Sequence, residues 1–470
     1  MPDLAKLDQK YVWHPFTQMR DWLKRKPIVI ESGHGAVLRD THGREYLDAN
    51  SSIWTNLHGH NHPKINAAIG KQLKKIAHSS ALGFANEPAS LLAERLVKDA
   101  TPHLKRVFFS DDGSTAMEVA LKLSYTYAQR TGHSKNPKFL SLQGAYHGDT
   151  LGAVGLGHID LFHKAYDGLL FKTDRVMAPY CYRCPFNRAK PERADAREYR
   201  KCNWECVGQV EKKFAAQKKR GNPYAAFVFE PLMQGAAGMI PQPKGWLRRI
   251  AEIARAHNAQ LIADEVMTGF GRTGVSESAT RNTQHATLFA CHQEGVQPDF
   301  LALAKGLTGG YLPMAATLTT QSVFDAFLGD YSEFKTFFHG HSFTGNQLGA
   351  AAALASLDLL QAPASIRARL ELQKALNQQL QTLWPLPHVG DIRQVGLVAG
   401  IELVKDWRTR KPFDLREQAG IRVCEAMAKR GVLTRPIGNV IVLMPPYCTT
   451  SKQAGTIVHA LLESIQQTLR

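Results

Sequence analysis

Cysteine is scarce in this chain: seven residues in 470, an odd number. The opening stretch Met1-Pro2-Asp3-Leu4-Ala5-Lys6-Leu7-Asp8 has no apolar signal core. An odd, sparse set of thiols in a long chain of that kind argues against a disulfide framework. No run of 18 apolar residues occurs, so no membrane-spanning helix is expected and no membrane partner. Neither a secretory nor a transit segment is recognisable, which makes the cytoplasm the expected location. There is no internal repeat and no long low-complexity linker. Acid is also short, with 41 Asp and Glu against 58 Lys and Arg, a net charge of +17. That balance favours anionic ligands, but the basic residues are spread along the chain. Charge alone is a weak nucleic-acid footprint, so no nucleic-acid partner is expected.

Of the residues present, 44% are hydrophobic, enough for a large core and two to three domains. Short apolar runs alternate with helical stretches between about residues 90 and 310. The runs Arg106–Ser110, Lys138–Leu142, Ala225–Glu230 and Gln260–Asp264 are continuous rather than alternating. They read as strands of a mostly parallel sheet buried on both faces. Thr115–Thr131 and Gly245–His257 carry helical spacing, which makes the architecture α/β. Towards the end, Ile366–Leu383, Arg416–Arg430 and Lys452–Leu469 read as helices beside strands Leu397–Glu402 and Val440–Met444. The expectation is a large domain over 51–345 and a discontinuous α+β small domain built from 1–50 and 346–470. The Lys/Arg-rich stretch from about 187 to 220 reads as an insertion, its cysteine-rich part at about 180–210.

Chemistry gathers at the strand ends. Asp264 closes the run Gln260-Leu261-Ile262-Ala263. Lys305 follows Leu301-Ala302-Leu303-Ala304 and precedes Gly306. A lysine flanked by apolar residues has its charged form disfavoured, which suits an amine that must attack an aldehyde. A carboxylate at the end of another core strand can hold a pyridine nitrogen protonated. The pair points to pyridoxal 5'-phosphate. Asp111-Asp112-Gly113-Ser114-Thr115 follows a strand and can open a helix whose free N–H groups cradle a phosphate. Tyr146, in Gln143-Gly144-Ala145-Tyr146-His147-Gly148-Asp149-Thr150, is a candidate to stack on the ring. His147 reads as structural in preference to a general base, because Lys305 already fills that role. Glu230 and Glu265 are further acids at strand ends. Glu230, which precedes Pro231, is open between a gating or orienting role and a solvated terminus.

At these residues the chain resembles the class III (ω-amino acid) aminotransferases of pyridoxal-phosphate fold type I, nearly end to end. The match is densest at Gly113-Ser114, Tyr146-His147-Gly148, Ala263-Asp264-Glu265-Val266 through Gly269-Phe270-Gly271-Arg272-Thr273-Gly274, and Pro298-Asp299 through Lys305-Gly306. A narrower set is similar to the branch acting on 8-amino-7-oxononanoate in biotin biosynthesis. It comprises Trp13-His14-Pro15-Phe16-Thr17-Gln18-Met19, Ser51-Ser52-Ile53-Trp54, Phe338-His339-Gly340-His341-Ser342-Phe343, Arg435-Pro436-Ile437-Gly438 and Met444-Pro445-Pro446. The resemblance implies that Lys305 bears the cofactor, Asp264 partners its ring nitrogen, and Gly113 and Ser114 hold its phosphate. It implies that His341 and Ser342 reach a phosphate across a homodimer interface, so that the active site is shared. Ile53, Trp54, Tyr146 and Gly340 would border the substrate, and Arg435 would meet its carboxylate. The implied reaction converts 8-amino-7-oxononanoate to 7,8-diaminononanoate with S-adenosylmethionine or lysine as donor. A class III ω-amino acid or diamine transaminase is the alternative. Three positions depart from the pattern: Met267 where many members have Gln, Phe16 where several have Tyr, and Ile53 where several have Trp.

Two weaker patterns stand apart. Cys181-x2-Cys184 and Cys202-x3-Cys206, 17 residues apart, approximate a structural four-thiolate zinc site; the competing reading is four reduced thiols in a loop. Gly269-x-Gly271-x-x-Gly274 matches a dinucleotide fingerprint but does not open a βαβ unit, so it reads as a mobile glycine loop. His58, His60 and His62 read as a structured turn.

Overall fold

A computed structural model describes residues 3–275 and 288–469. Its centre is a seven-stranded sheet in the order Leu104–Ser110, Ala315–Thr320, Phe300–Leu303, Gln260–Asp264, Tyr224–Phe229, Lys138–Leu142, Asp174–Val176. Ala315–Thr320 runs antiparallel to both neighbours, and the other pairings are parallel. Every residue of Tyr224–Phe229, Gln260–Asp264 and Phe300–Leu303 is buried. That is why these strands read as unbroken apolar runs: helices cover both faces, so neither face needs polar side chains. Each Leu or Phe so buried contributes about 1.5–3 kcal/mol.

The helices fall where their periodicity placed them, at Gly113–Arg130 and Trp246–Ala256. Glu205–Lys219 is a helix that buries Cys206, Val210, Phe214 and Gln217 and packs on Trp246–Ala256 and strand Tyr224–Phe229. Its charged residues are the solvent side of an amphipathic helix.

A second body of structure comes from both chain ends. Strands Ile30–His34, Val37–Asp40 and Glu45–Asp48 continue into Val432–Leu433, which pairs parallel with the last of them. A separate sheet contains Val389–Val395, Val398–Asp406, Val440–Leu443 and Pro436–Ile437. Helices Pro363–Leu380, Ala419–Lys429 and Ser451–Thr468 pack with it around a second core. Among the described residues no single helix is long and apolar enough to cross a membrane.

Candidate active site

Strand ends and the loops after them enclose a cavity of about 440 Å³. Its wall holds Lys305, Asp264, Tyr146, Gly113, Ser114 and Trp54, six of the residues singled out from sequence. The parallel strands Gln260–Asp264 and Phe300–Leu303 are in register, Asp264 opposite Ala302, so their chemistry emerges at one sheet edge.

Lys305 opens a 3-10 turn directly after its strand, with φ +45°. A bulky residue held there stores strain, as functional positions often do. Burial lowers the pKa of its amine, against the opposing pull of Asp264 and Glu230. Asp264 accepts from the backbone N–H of Val266 at 3.0 Å and pairs with Nδ1 of His147 at 2.8 Å. The other ring nitrogen of His147 is buried without a partner. His147 thus braces Asp264, and it is itself among the residues lining the cavity.

Asp112 caps helix Gly113–Arg130, accepting from Thr115 N–H. Gly113 is required by packing, because a Cβ there would lie 2.6 Å from Val266. Ser114 Oγ lies 2.7 Å from Thr150 Oγ1 and accepts from Thr150 N–H at 2.9 Å. Gly148, at φ +120°, packs directly on Ser114. Two hydroxyls and the helix N-terminus therefore face the cavity, a suitable cradle for a phosphate. Tyr146 donates to Asp149 at 2.6 Å, and burial followed by that bond raises its pKa above the usual phenol range. Sequence reading gave Thr150 and Asp149 no role. Ser and Thr are too common in loops to stand out until the fold brings residues 114 and 150 together.

Glu230 orients two loops at once, accepting from Tyr146 N–H at 3.4 Å and Gly235 N–H at 2.7 Å. Burial pushes its pKa up to about 7. It is buried, which removes the solvated-terminus reading. Glu265 accepts from Ala290 and Cys291 N–H at 2.6 and 2.8 Å, an anchor for the next helix. Met267 lines the cavity where many members of the resembled family carry Gln, with its sulfur against Gly235.

Trp54 reaches the cavity from an unusual backbone. Ser51, Ser52, Ile53 and Trp54 have φ of +47°, +47°, +64° and +68°, one turn of left-handed helix. L-residues resist this by roughly 1–2 kcal/mol each. The turn sets the indole over Lys305, Nζ lying 4.7 Å from the ring centroid. Ile53 is 45% exposed and outside the cavity wall.

Gly340, His341, Ser342 and Arg435 are also outside it. His341 lies 3.4 Å from Asp111, and the Ser342 carbonyl accepts from His78 at 2.8 Å. Arg435 is exposed.

The zinc expectation is corrected. Among the described residues no group of three or more His, Cys, Asp or Glu is arranged to hold a metal ion. Cys181, Cys184, Cys202 and Cys206 are free thiols. Burial pushes the metal-free Cys181 thiol up to about 12 and that of Cys206 to about 11. Cys202 Sγ instead accepts from Arg200 at 3.0 Å. The glycine loop is packed in: Met267–Val275 is buried throughout, and Gly274 packs on Gly396. His58, His60 and His62 do form a structured turn, with His58 on Ser356 and His60 on Asp48.

A doubly covered, mostly parallel sheet with a lysine, a braced aspartate and an anion cradle at one edge defines a class of enzyme. The class III aminotransferase family model matches residues 19–469, and the chain belongs to that family. It is 46% identical over 470 residues to the adenosylmethionine-8-amino-7-oxononanoate aminotransferase of Geobacter sulfurreducens, covering 99% of each chain. The crystal structure of the enzyme of that name from Methanocaldococcus jannaschii superposes with a TM-score of 0.89 at 40% identity, covering 99% of both chains. An amine transaminase from an uncultivated Pseudomonas species, solved in its PLP-bound form, gives 0.86 at 33% identity over 97% of this chain and 99% of that one.

Proposed function

We propose that this aminotransferase uses pyridoxal 5'-phosphate to transfer an amino group to 8-amino-7-oxononanoate, giving 7,8-diaminononanoate for biotin biosynthesis. S-Adenosylmethionine or lysine is the donor. What carries the reading is the meeting of Lys305, Asp264, Tyr146 and the Gly113–Ser114 cradle in one cavity. End-to-end identity to enzymes of that name narrows the substrate.

The donor set fits the cofactor. Ser114, Thr150 and the helix N-terminus would hold its phosphate, and Asp264 its ring nitrogen. Bound there, the cofactor supplies an aldehyde that takes up an amino group and a ring that accepts electrons. Lys305 would take a proton from the amine-bearing carbon of the donor and deliver it to the carbon that carries the cofactor's aldehyde, so its amine must be neutral part of the time. Burial lowers its pKa in the direction that work requires. His147 fixes the orientation of Asp264, and Glu230 fixes Tyr146 and Gly235. Trp54 and Tyr146 would flank the substrate inside the cavity, and beyond its wall Ile53 and Gly340 would border it and Arg435 would meet its carboxylate.

We place the working enzyme as a cytoplasmic homodimer. Trp13, Leu82 and Phe84 are 87%, 89% and 72% exposed, and Phe338 and Phe343 add to the uncovered apolar surface. His341 and Ser342 lie beside these last two and off the cavity wall of their own chain. A second copy would cover the apolar residues and receive His341 and Ser342 at its phosphate.

The test is a paired assay. Purified enzyme with 8-amino-7-oxononanoate and either S-adenosylmethionine or lysine should yield 7,8-diaminononanoate by mass spectrometry. Product with neither donor, together with turnover of simple ω-amino acids or diamines, would favour a class III transaminase of other specificity.

A further inference from the structure

The left-handed turn at Ser51–Trp54 is the most strained segment that touches the cavity, and a residue outside the cavity wall holds it. Four consecutive residues with positive φ, none of them glycine and one β-branched, do not persist unaided. Asp48 ends the strand Glu45–Asp48 just before the turn. One carboxylate oxygen accepts from Asn50 N–H at 3.1 Å and Ser52 N–H at 3.2 Å. The other accepts from Ser52 Oγ at 3.1 Å and lies 3.0 Å from His60 Nε2. The second ring nitrogen of His60 is 3.0 Å from the Asn56 side-chain amide, which leaves Nε2 as donor to Asp48. Burial opposes the charge on Asp48, but bonds from His60, Ser52 and Asn50 outweigh it, and its pKa stays below the ordinary carboxylate value. Further ties close the turn. Ser51 Oγ donates to the Met444 carbonyl at 2.6 Å, and Arg272 donates to the Asn56 carbonyl at 2.9 Å.

The clamp delivers one side chain. Trp54 leaves the turn with its ring over the Lys305 amine and within reach of Gly235, opposite Met267. Its indole N–H is buried without an acceptor, so no bond of its own holds the ring in place.

We propose that Asp48 is a positioning residue for the transamination: its carboxylate locks the left-handed turn and so fixes the indole of Trp54 as the substrate-facing wall beside Lys305. The proposal rests on the cavity being the active site, as argued above. Its backbone claim is independent of any substrate.

The test uses the full-length holoenzyme and the variants Asp48→Asn, Trp54→Phe and the two combined. Asparagine keeps the size but loses one acceptor oxygen. Amide exchange over residues 50–56 should quicken by about tenfold or more in Asp48→Asn while strand Leu104–Ser110 stays protected. Unchanged exchange would overturn the clamp. KM for the amino acceptor should rise about tenfold with kcat changed less than about threefold. In the Trp54→Phe background the same change should add less than about twofold, because the two residues act as one unit. Equal factors in both backgrounds would show that Asp48 acts elsewhere, and the proposal would fall. The acceptor is 8-amino-7-oxononanoate, or pyruvate with a primary amine should the former not react, so a wrong substrate assignment does not mimic a wrong clamp. Should Asp48→Asn not fold, Asp48→Asn with Ser52→Gly is measured instead, since glycine takes positive φ freely. Failure of that variant to fold as well would overturn the proposal by showing that Asp48 serves the core and not Trp54.

Discussion

Two buried clusters of charge lie on the two sides of the loop at 235–239, and they differ in how far their charges are matched within the chain. The cavity side holds Lys305, Asp264, Glu230 and His147, with groups left open: His147 Nε2 and the Trp54 indole have no partner. The far side centres on Arg393. Its guanidinium donates to the carbonyls of Gly238 and Met239 at 2.6 and 2.7 Å, to Asp391 at 3.0 Å and to Glu402 at 2.6 Å. Arg183 and Tyr180 complete Glu402, and Asp391 Oδ1 is the node's buried oxygen without a partner. This node ties the strands Val389–Val395 and Val398–Asp406 to the loop whose Ala236 faces the cavity. A charge matched within its own chain stabilises only if every partner stays; a charge left open is available to a visitor. The contrast separates groups kept for chemistry from groups kept for architecture.

The sharpest way to break that contrast is at Lys305. Lys305→Ala should reduce turnover by about 10⁴-fold or more, with a change in unfolding free energy within about 1 kcal/mol. Steady-state kinetics and thermal unfolding of the same preparation check it. A large loss of stability would make Lys305 architectural. Arg393→Met should do the reverse. It strands Asp391 and part of Glu402 in the interior, which costs about 3–5 kcal/mol in denaturant unfolding. Turnover per folded molecule should fall far less than in Lys305→Ala.

A third prediction uses pH. Burial raises the folded-state pKa of Glu230 from 4.5 to about 7. A carboxyl raised in this way contributes stability that is complete below its unfolded pKa and lost as pH rises through about 7. The cofactor-free enzyme should therefore lose on the order of 3 kcal/mol from this group between pH 4.5 and 7.5. Glu230→Gln should flatten the corresponding slope of Tm against pH. An unchanged slope would mean that Glu230 is ionised in the fold, matched like Glu402 rather than left open.

Much of this was legible in the sequence where one physical rule acts alone. The buried strands announced themselves as unbroken apolar runs, and Lys305 and Asp264 stood at their ends. What was not legible depended on proximity. Thr150 joins Ser114 only when two loops meet, and Asp48 gains its meaning from a backbone conformation that no residue type in Ser51-Ser52-Ile53-Trp54 advertises. The packing of the basic stretch was hidden for a related reason. Helix Glu205–Lys219 carries its charge on one side and Phe214 and Val210 on the other, and composition averages the two.

The smallest expected effect concerns the four cysteines, whose spacing pointed to a metal. Around them the loop is held by side chains without one. Arg193 donates to the Val389 carbonyl at 2.7 Å, Arg197 to that of Gln394 at 2.8 Å, and Asn187 to that of Cys181 at 2.9 Å. Arg183 reaches Glu402 and the Arg410 carbonyl, so the loop is an extension of the Arg393 node. A loop already tied at several points has little to gain from a metal, whereas a zinc site that organised it would contribute many kcal/mol. A strong chelator should therefore shift the unfolding free energy by less than about 0.5 kcal/mol. Metal analysis should find zinc well below one per chain. Stoichiometric zinc with a marked fall in Tm on chelation would move this loop into the class of regions completed by a ligand, and the division between the two clusters would have to be redrawn.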